Sequence, residues 1–259
     1  MPVHDAVVVA VHHTSESNLV VELLTRDAGR FSCVARGARL SQRRFPGGVD
    51  VLTRLDADET APRRGELHTL NAATVTDAFL PLRQDPLAVG RAAYVAEIAA
   101  ALSPAGHVAD ETFDILIEAM RALCVGPAGP ALLRWAELRL LLSVGELAPM
   151  DACHGCSEAL ESAVHLPHQP GHLWCRSCAP PHAVAVPAPV LELLAQAPGW
   201  TAEQARTAPV SPLTSVTAGR MLAPLIRHAV GRPLKSTQYL LQLERHGGAD
   251  PSTPPEVGT

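Results

Sequence analysis

The chain has 259 residues, 47% of them hydrophobic, and a formal net charge of -5. That length supports one large domain or two to three small ones, each with its own core. No run approaches the roughly 18 to 20 uninterrupted apolar residues of a membrane helix, and the start, MPVHDAVVVAVHHTSES, lacks the basic region and small-residue cleavage site of a signal peptide. A soluble, bacterial-type cytosolic protein with no membrane partner is the expectation.

The first 80 residues read as β-rich. Runs at 6–11, 18–25, 30–36, 49–57 and 67–75 are short, rich in Val, Leu and Thr, and divided by turn signals such as RDAG and PRRG. Five strands in this space suit a small antiparallel barrel of the OB type. Between the third and fourth runs lies RGARLSQRRFPGG, residues 36–48. Residues 26–48 carry Arg26, Arg30, Arg36, Arg39, Arg43 and Arg44 against Asp27 alone, a local excess of +5 in an acidic chain. Acids Asp56, Asp58 and Glu59 follow at once, so the basic charge is local and patch-forming. The segment is expected to be a mobile loop able to reach a ligand.

After residue 80 the period turns helical. Asp85-Pro86 reads as an N-cap with proline at the first helical position, opening a helix to about Leu102. Asp110 is expected to cap a second, with Phe113, Leu116, Ile117, Met120 and Leu123 on one face and Gly126 stopping it. Pro130–Val144 forms a third, with Leu133, Trp135, Ala136 and Leu140 inward and Arg134 and Arg139 at more polar positions, and the three make one bundle. Further helices are expected over Pro189–Ala197, over Pro212–Val230 with Ser211 as cap, and from Ser236 to Gly247-Gly248; the tail ADPSTPPEVGT has nothing to bury and is expected to be disordered. The resulting class is α+β: a barrel domain over 1–80, a helical domain over 81–150, a cysteine-bearing insert over 151–182 and C-terminal helices over 183–247 packing back on the helical domain.

That insert holds the most specific local signal. CHGC at 153–156 and CRSC at 175–178 give C-x2-C-x18-C-x2-C, the spacing of two knuckles that complete a tetrahedral thiolate set. Cys153, Cys156, Cys175 and Cys178 are therefore read as ligands of one structural zinc per chain. Four thiolates leave no open position for water or substrate, and the metal's binding free energy folds a segment with little apolar content. Two disulfides or a redox pair are the alternatives, disfavoured by a reducing cytosol and by the lack of thioredoxin-like surroundings. His154, His165, His168 and His172 are substitute ligands; Cys33 and Cys124 read as buried small hydrophobes.

No phosphate-binding G-x-x-x-x-G-K-[ST], H-E-x-x-H or G-x-S-x-G occurs. Most of the 12 histidines sit in segments that look like loops, His12-His13 at a strand end is not paired with a motif acid, and each reads as a surface residue. The expectation is a non-enzyme.

Four stretches resemble the RecO family of bacterial DNA-repair and recombination mediators. They are SESNLVVELLTRDAGRFSCVARGARLSQRRFPGG near the start, PALLRWAELRLLLSVGELAPMDACHGC in the middle, then LWCRSC, and GRPLKSTQYL near the end, in the family's order. The resemblance implies an N-terminal OB barrel, a helical domain and a zinc-binding insert, although the zinc motif is not universal in the family. It implies binding of single- and double-stranded DNA in the nucleoid and annealing of strands coated with single-strand-binding protein. It also implies loading of RecA together with RecR.

OB folds hold single strands by stacking bases on aromatics, yet the barrel offers only Phe31, Phe45 and Phe79. Arginine contacts to phosphate must then supply the affinity. Arg36, Arg39, Arg43 and Arg44 are the DNA-binding candidates, with Arg30 beside them, and Gly37, Gly47 and Gly48 are expected to let the backbone approach the strand. Arg134, Leu138 and Arg139, in LLRWAELRLLL, are the candidate contacts for the acidic, apolar tail of single-strand-binding protein, with a plain core helix as the alternative. Lys235, the only lysine, lies beside Arg232 and reads either as a second basic contact or as a helix-terminus charge. The rival functions are a sequence-specific zinc-ribbon protein of transcription and a zinc hydrolase with an unrecognised site.

Overall fold

The computed structural model describes residues 3–148, 150–167 and 169–247. His168 and the expected disordered tail at 248–259 lie outside the described residues. Strands β1 (Val3–His13), β2 (Leu19–Thr25), β3 (Gly29–Ala35), β4 (Arg54–Thr60) and β5 (Leu67–Asp77) close into a barrel of order β1-β2-β3-β5-β4. β1 is long enough to pair with both β2 and β4, and that shared strand closes the cylinder. The expected all-antiparallel barrel is corrected in one place: β3 and β5 run parallel, with Ser32 opposite Leu67. This is the OB topology. Alternate residues of β3 point inward, so Phe31, Cys33 and Ala35 join Val8, Val21, Leu23, Leu55, Leu70 and Ala73 in the barrel core.

β4 begins later than residue 49. Residues 49–53 turn instead, with Leu52 in the left-handed region at φ 60°. Leu52 thereby leaves the barrel interior and packs with Phe79 and Leu82 in the core beneath the helices. A 3-10 turn over Leu80–Gln84 leads into the helical domain.

Its first three helices are α1 (Pro86–Ala101), α2 (Asp110–Cys124) and α3 (Ala131–Ser143). Asp85 caps α1 as expected, accepting from the Leu87 N–H at 2.9 Å. For α2 the N-cap is Ala109, and Asp110 is the first helical residue rather than the cap. Its carboxylate sits with Glu111 at the positive end of the helix dipole and lies 3.6 Å from Arg26. α3 turns Leu133, Trp135, Ala136 and Leu140 inward as expected, with Arg134 and Arg139 at its half-buried positions; Leu132, Glu137, Leu138 and Leu141 are buried as well, so it is the central helix of the domain.

The insert folds as a small sheet of order β7-β6-β8 from Val164–Leu166 (β6), Gln169–Trp174 (β7) and Val184–Ala185 (β8). β8 lies past the expected boundary at 182. α4 (Ala188–Gln196), α5 (Ala202–Thr207), α6 (Pro212–Val230) and α7 (Lys235–Gly247) complete the domain. Ser211 caps α6 through the Thr214 N–H at 3.1 Å. Leu191, Leu194, Leu222 and Leu240 from these helices join α1–α3 in one continuous core, as the expected packing of C-terminal helices on the bundle requires. Among the described residues no helix is long and apolar enough to cross a membrane.

Candidate nucleic-acid interface and metal centre

The arginine segment, expected as a mobile loop, is anchored to the barrel at several points. Ala38, Phe45 and Val49 are buried among the core residues of the barrel, and the Ala73 N–H of β5 donates to the Arg44 carbonyl at 2.9 Å. At the other end the Gly37 N–H donates to Asn18 Oδ1 at 2.8 Å, and the Arg39 N–H donates to the Ser17 carbonyl at 3.3 Å. The segment is thus fastened to the β1–β2 loop and to β5. Gly37, Gly47 and Gly48 have φ of 66°, 86° and 81° and so serve these turns, where an L side chain is strained.

Fastening the backbone leaves the charges outside. Arg36, Arg39, Arg43 and Arg44 are all exposed. Arg39 Nη1 donates to the Glu16 carbonyl at 2.9 Å and Arg44 Nη2 to the Arg36 carbonyl at 2.6 Å. Arg44 also lies over the Phe45 ring, 5.2 Å from its centroid. Among the described residues none of the four is ion-paired with a carboxylate, whereas Arg26, Arg30 and Arg54 of the same barrel all are. Four positive charges with no internal counterion are held on one short, rigid loop.

Arg30 does not belong to this group. It sits at the opposite end of β3 from Arg36, roughly 20 Å along the strand at about 3.3 Å per residue, and Glu22 on β2 neutralises it. The sparse-aromatic expectation becomes stricter: Phe31, Phe45 and Phe79 are all buried, so none offers a face to a base.

At the cysteine site the spacing and the geometry agree. The Sγ atoms of Cys153, Cys156, Cys175 and Cys178 lie within 4.8 Å of one another, with Cys156 and Cys175 3.9 Å apart. A tetrahedral ion at about 2.3 Å from each sulfur would separate neighbours by about 3.8 Å. Two knuckles face each other: the Cys175 N–H donates to Cys153 Sγ at 3.3 Å, and the Gly155 N–H does so at 3.4 Å. These amides draw the Cys153 thiol down to about 6, the Cys175 amide most. The crowding of sulfurs pushes Cys178 up to about 12, through Cys175 first and Cys156 second. The four-sulfur donor set fits a soft metal ion. Gly155 lies where the knuckles approach closely, since a Cβ there would stand 3.0 Å from Cys178 Cβ.

Among the described residues no histidine joins the cluster. His154 and His172 stack on each other, 3.8 Å between centroids, with their edges to Trp174. No cysteine is in a disulfide; Cys33 is buried in the barrel and Cys124 is partly buried on α2, as expected.

The α3 candidates are corrected by burial. Leu138 is fully buried and touches no surface. Arg134 points inward, donating to Glu137 Oε1 at 2.8 Å and to the Ser215 carbonyl of α6 at 3.3 Å. Arg139 lies 3.8 Å from Glu111 and over the Trp135 ring at 5.9 Å. The three do not form a docking surface, because α3 is the central helix. Lys235 opens α7, where its N–H and that of Ser236 donate to the Glu97 carboxylate at 3.0 and 2.9 Å. Arg232 donates to the same carboxylate at 2.7 Å. The Pro-Leu-Lys-Ser step is thus a capped helix start.

Sequence comparison bears on the whole of this architecture. The family model described as "Recombination protein O N terminal" matches residues 1–79, and "Recombination protein O C terminal" matches residues 83–238. The curated DNA repair protein RecO of Anaeromyxobacter sp. strain K is 33% identical over 228 residues, covering 87% of this chain and 90% of its own. DNA repair protein RecO of Geobacter sulfurreducens is 32% identical over 240 residues, covering 92% and 97%. That of Myxococcus xanthus is 31% identical over 241 residues, covering 92% and 96%. With both family models in chain order on the barrel and the helical domain, the chain belongs to the recombination protein O family and has its place in DNA repair and recombination.

Proposed function

We propose that the protein is a non-catalytic recombination mediator that binds single- and double-stranded DNA through its barrel loop and anneals complementary strands coated with single-strand-binding protein. The observation that carries this reading is the rigid cluster of Arg36, Arg39, Arg43 and Arg44, exposed and without carboxylate partners. A polyphosphate strand supplies the missing counterions, and its own condensed ions are released. Annealing requires two strands held close with their repulsion screened, a task for fixed positive charge that needs no general acid, base or nucleophile. Arginine contacts to phosphate carry no sequence information, which favours binding without sequence preference over the transcription-factor alternative. The resemblance adds RecR as a working partner, the tail of single-strand-binding protein as a docking ligand and RecA as the protein loaded.

The test is annealing of two labelled complementary strands pre-coated with single-strand-binding protein, by wild type and by Arg39/Arg43/Arg44→Ala. Wild type anneals and the variant does not, and the log-log salt slope for single-strand binding flattens by about two units at about 0.7 per phosphate contact. An unchanged slope places the DNA surface elsewhere, and absence of annealing by wild type at low salt refutes the mediator reading.

The metal we propose is a structural zinc, about one per chain. It is closed off from substrate by its four thiolates, and this stands against the hydrolase reading. Its support is the thiolate geometry, together with the smallness of the module's own core: Cys153, Leu166 and Trp174. Protein prepared without chelators contains zinc, and its removal changes the fluorescence of Trp174 while leaving the barrel folded. Protein that carries no metal, or whose module is indifferent to chelation, overturns the assignment.

A further inference from the structure

The most exposed large apolar side chain among the described residues is Leu40, at 76%. It lies inside the arginine loop, directly after Arg39 and ahead of Arg43 and Arg44. Its backbone is fixed from several directions. The Leu40 and Ser41 N–H groups both donate to the Gly37 carbonyl, at 3.1 and 2.9 Å, and the Phe45 N–H donates to the Ser41 carbonyl at 3.0 Å. Gly37 is itself held by Asn18, and Arg39 by Ser17. A tight turn, plugged on one side by Ala38 and Phe45, therefore projects Leu40 into solvent among exposed guanidinium groups.

Isolated exposed leucines are ordinary on protein surfaces, but this position combines three features. The side chain is presented rigidly, so little conformational freedom remains to be lost on contact. Its surroundings are cationic and lack internal counterions, so what approaches is a polyanion. Phe31, Phe45 and Phe79 are buried, so the barrel offers no phenylalanine ring to a base, while a nucleic-acid strand carries an apolar base surface beside each phosphate. Aliphatic side chains, leucine among them, enter between base steps in other DNA-binding proteins.

We infer that Leu40 is the base-contacting residue of the loop: it lies against, or enters between, the bases of a strand whose phosphates Arg39, Arg43 and Arg44 hold. This rests on the DNA-binding reading and deepens it. The contact is insensitive to sequence because every base offers an apolar face. A base step opened by Leu40 leaves Watson–Crick edges free, the state in which a complementary strand pairs.

The experiment uses full-length protein and a single strand carrying 2-aminopurine at one internal position, whose emission reports unstacking. Wild type, Leu40→Ser, Leu40→Phe and Arg39/Arg43/Arg44→Ala are titrated at several salt concentrations. With wild type the emission changes on saturation. With Leu40→Ser the strand still binds with an unchanged salt slope, affinity falls about five- to tenfold at fixed salt, and the emission at saturation returns toward that of the free strand. Leu40→Phe retains the emission change. Because Leu40 is exposed, these substitutions leave the fold intact, which the thermal midpoint verifies. Equal affinity and equal emission for Leu40→Ser and wild type overturn the inference while the DNA-binding reading stands. Unimpaired binding by the triple arginine variant overturns the loop assignment and this inference with it.

Discussion

The arginines of the barrel loop and four of those in the helical domain differ in what faces them. Arg134, Arg139, Arg206 and Arg232 each sit beside a carboxylate, at 2.8, 3.8, 2.6 and 2.7 Å. Arg36, Arg39, Arg43 and Arg44 face solvent and backbone carbonyls. The residue type is the same in both regions, and the chain's strong preference for arginine over lysine removes any information from that choice. What distinguishes a structural cation from a ligand-seeking one is its counterion, which only the fold assigns.

Arg134 provides the sharpest break of the comparison. Its guanidinium crosses between α3 and α6 where Gly219 leaves room; a Cβ there would stand 1.5 Å from Nη1. Its partner Glu137 is wholly buried, accepts from the Tyr94 hydroxyl at 2.7 Å, and keeps Oε2 without a protein partner. Burial pushes that carboxyl above its ordinary range, against the pull of Arg134 and Tyr94. Removing one member of such a pair strands a charge in the core, which costs about 3 to 5 kcal/mol. Arg134→Ala should lose stability of this order in denaturant unfolding, and Arg134→Leu with Glu137→Leu should recover much of it. A loss below about 1 kcal/mol would mean that the buried charge is relieved by protonation. The loop substitutions that abolish DNA binding, by contrast, should each leave stability within about 0.5 kcal/mol. One domain then loses fold without its arginine, and the other loses function.

This contrast explains which features were legible beforehand. The barrel, most helix boundaries, the Asp85 and Ser211 caps and the four cysteines rest on local chemistry: alternation, capping residues and knuckle spacing. α5 was missed although its Thr201–Gln204 capping box was present, because the helix is only 6 residues long and has little periodicity. β6–β8 were missed because strands of 3, 6 and 2 residues carry no pattern. The misplacement of Arg134 and Leu138 has a different source. α3 mixes charge with apolar residues as a surface helix does, and only the packing of neighbouring helices around it shows that its arginine is internal. The rigidity of residues 36–48 was hidden for the same reason, since Phe45 is an anchor only once the barrel exists to receive it.

A smaller effect sharpens the same distinction at the start of α7. Glu97 on α1 does the work that a local N-cap performs elsewhere: its carboxylate accepts from the N–H groups of Lys235 and Ser236, from the Ser236 hydroxyl at 2.7 Å and from Arg232. Burial alone would raise this carboxyl, but the Ser236 and Lys235 donors with Arg232 outweigh it and hold the group below its ordinary value. A carboxyl depressed in the folded state stabilises fully above its unfolded value and loses that contribution as pH falls through the folded one. Glu97→Ala should therefore cost about 0.5 to 2 kcal/mol at neutral pH, the range of a lost cap. The gap from wild type should close as pH falls below the usual carboxylate range. A gap that persists unchanged in acid would show that Glu97 contributes by packing, and that the positive end of α7 is satisfied by water. If the gap closes as expected, Arg232 and the amino terminus of α7 are accounted for within the fold, whereas the four arginines of the barrel loop keep their charge for an external phosphate.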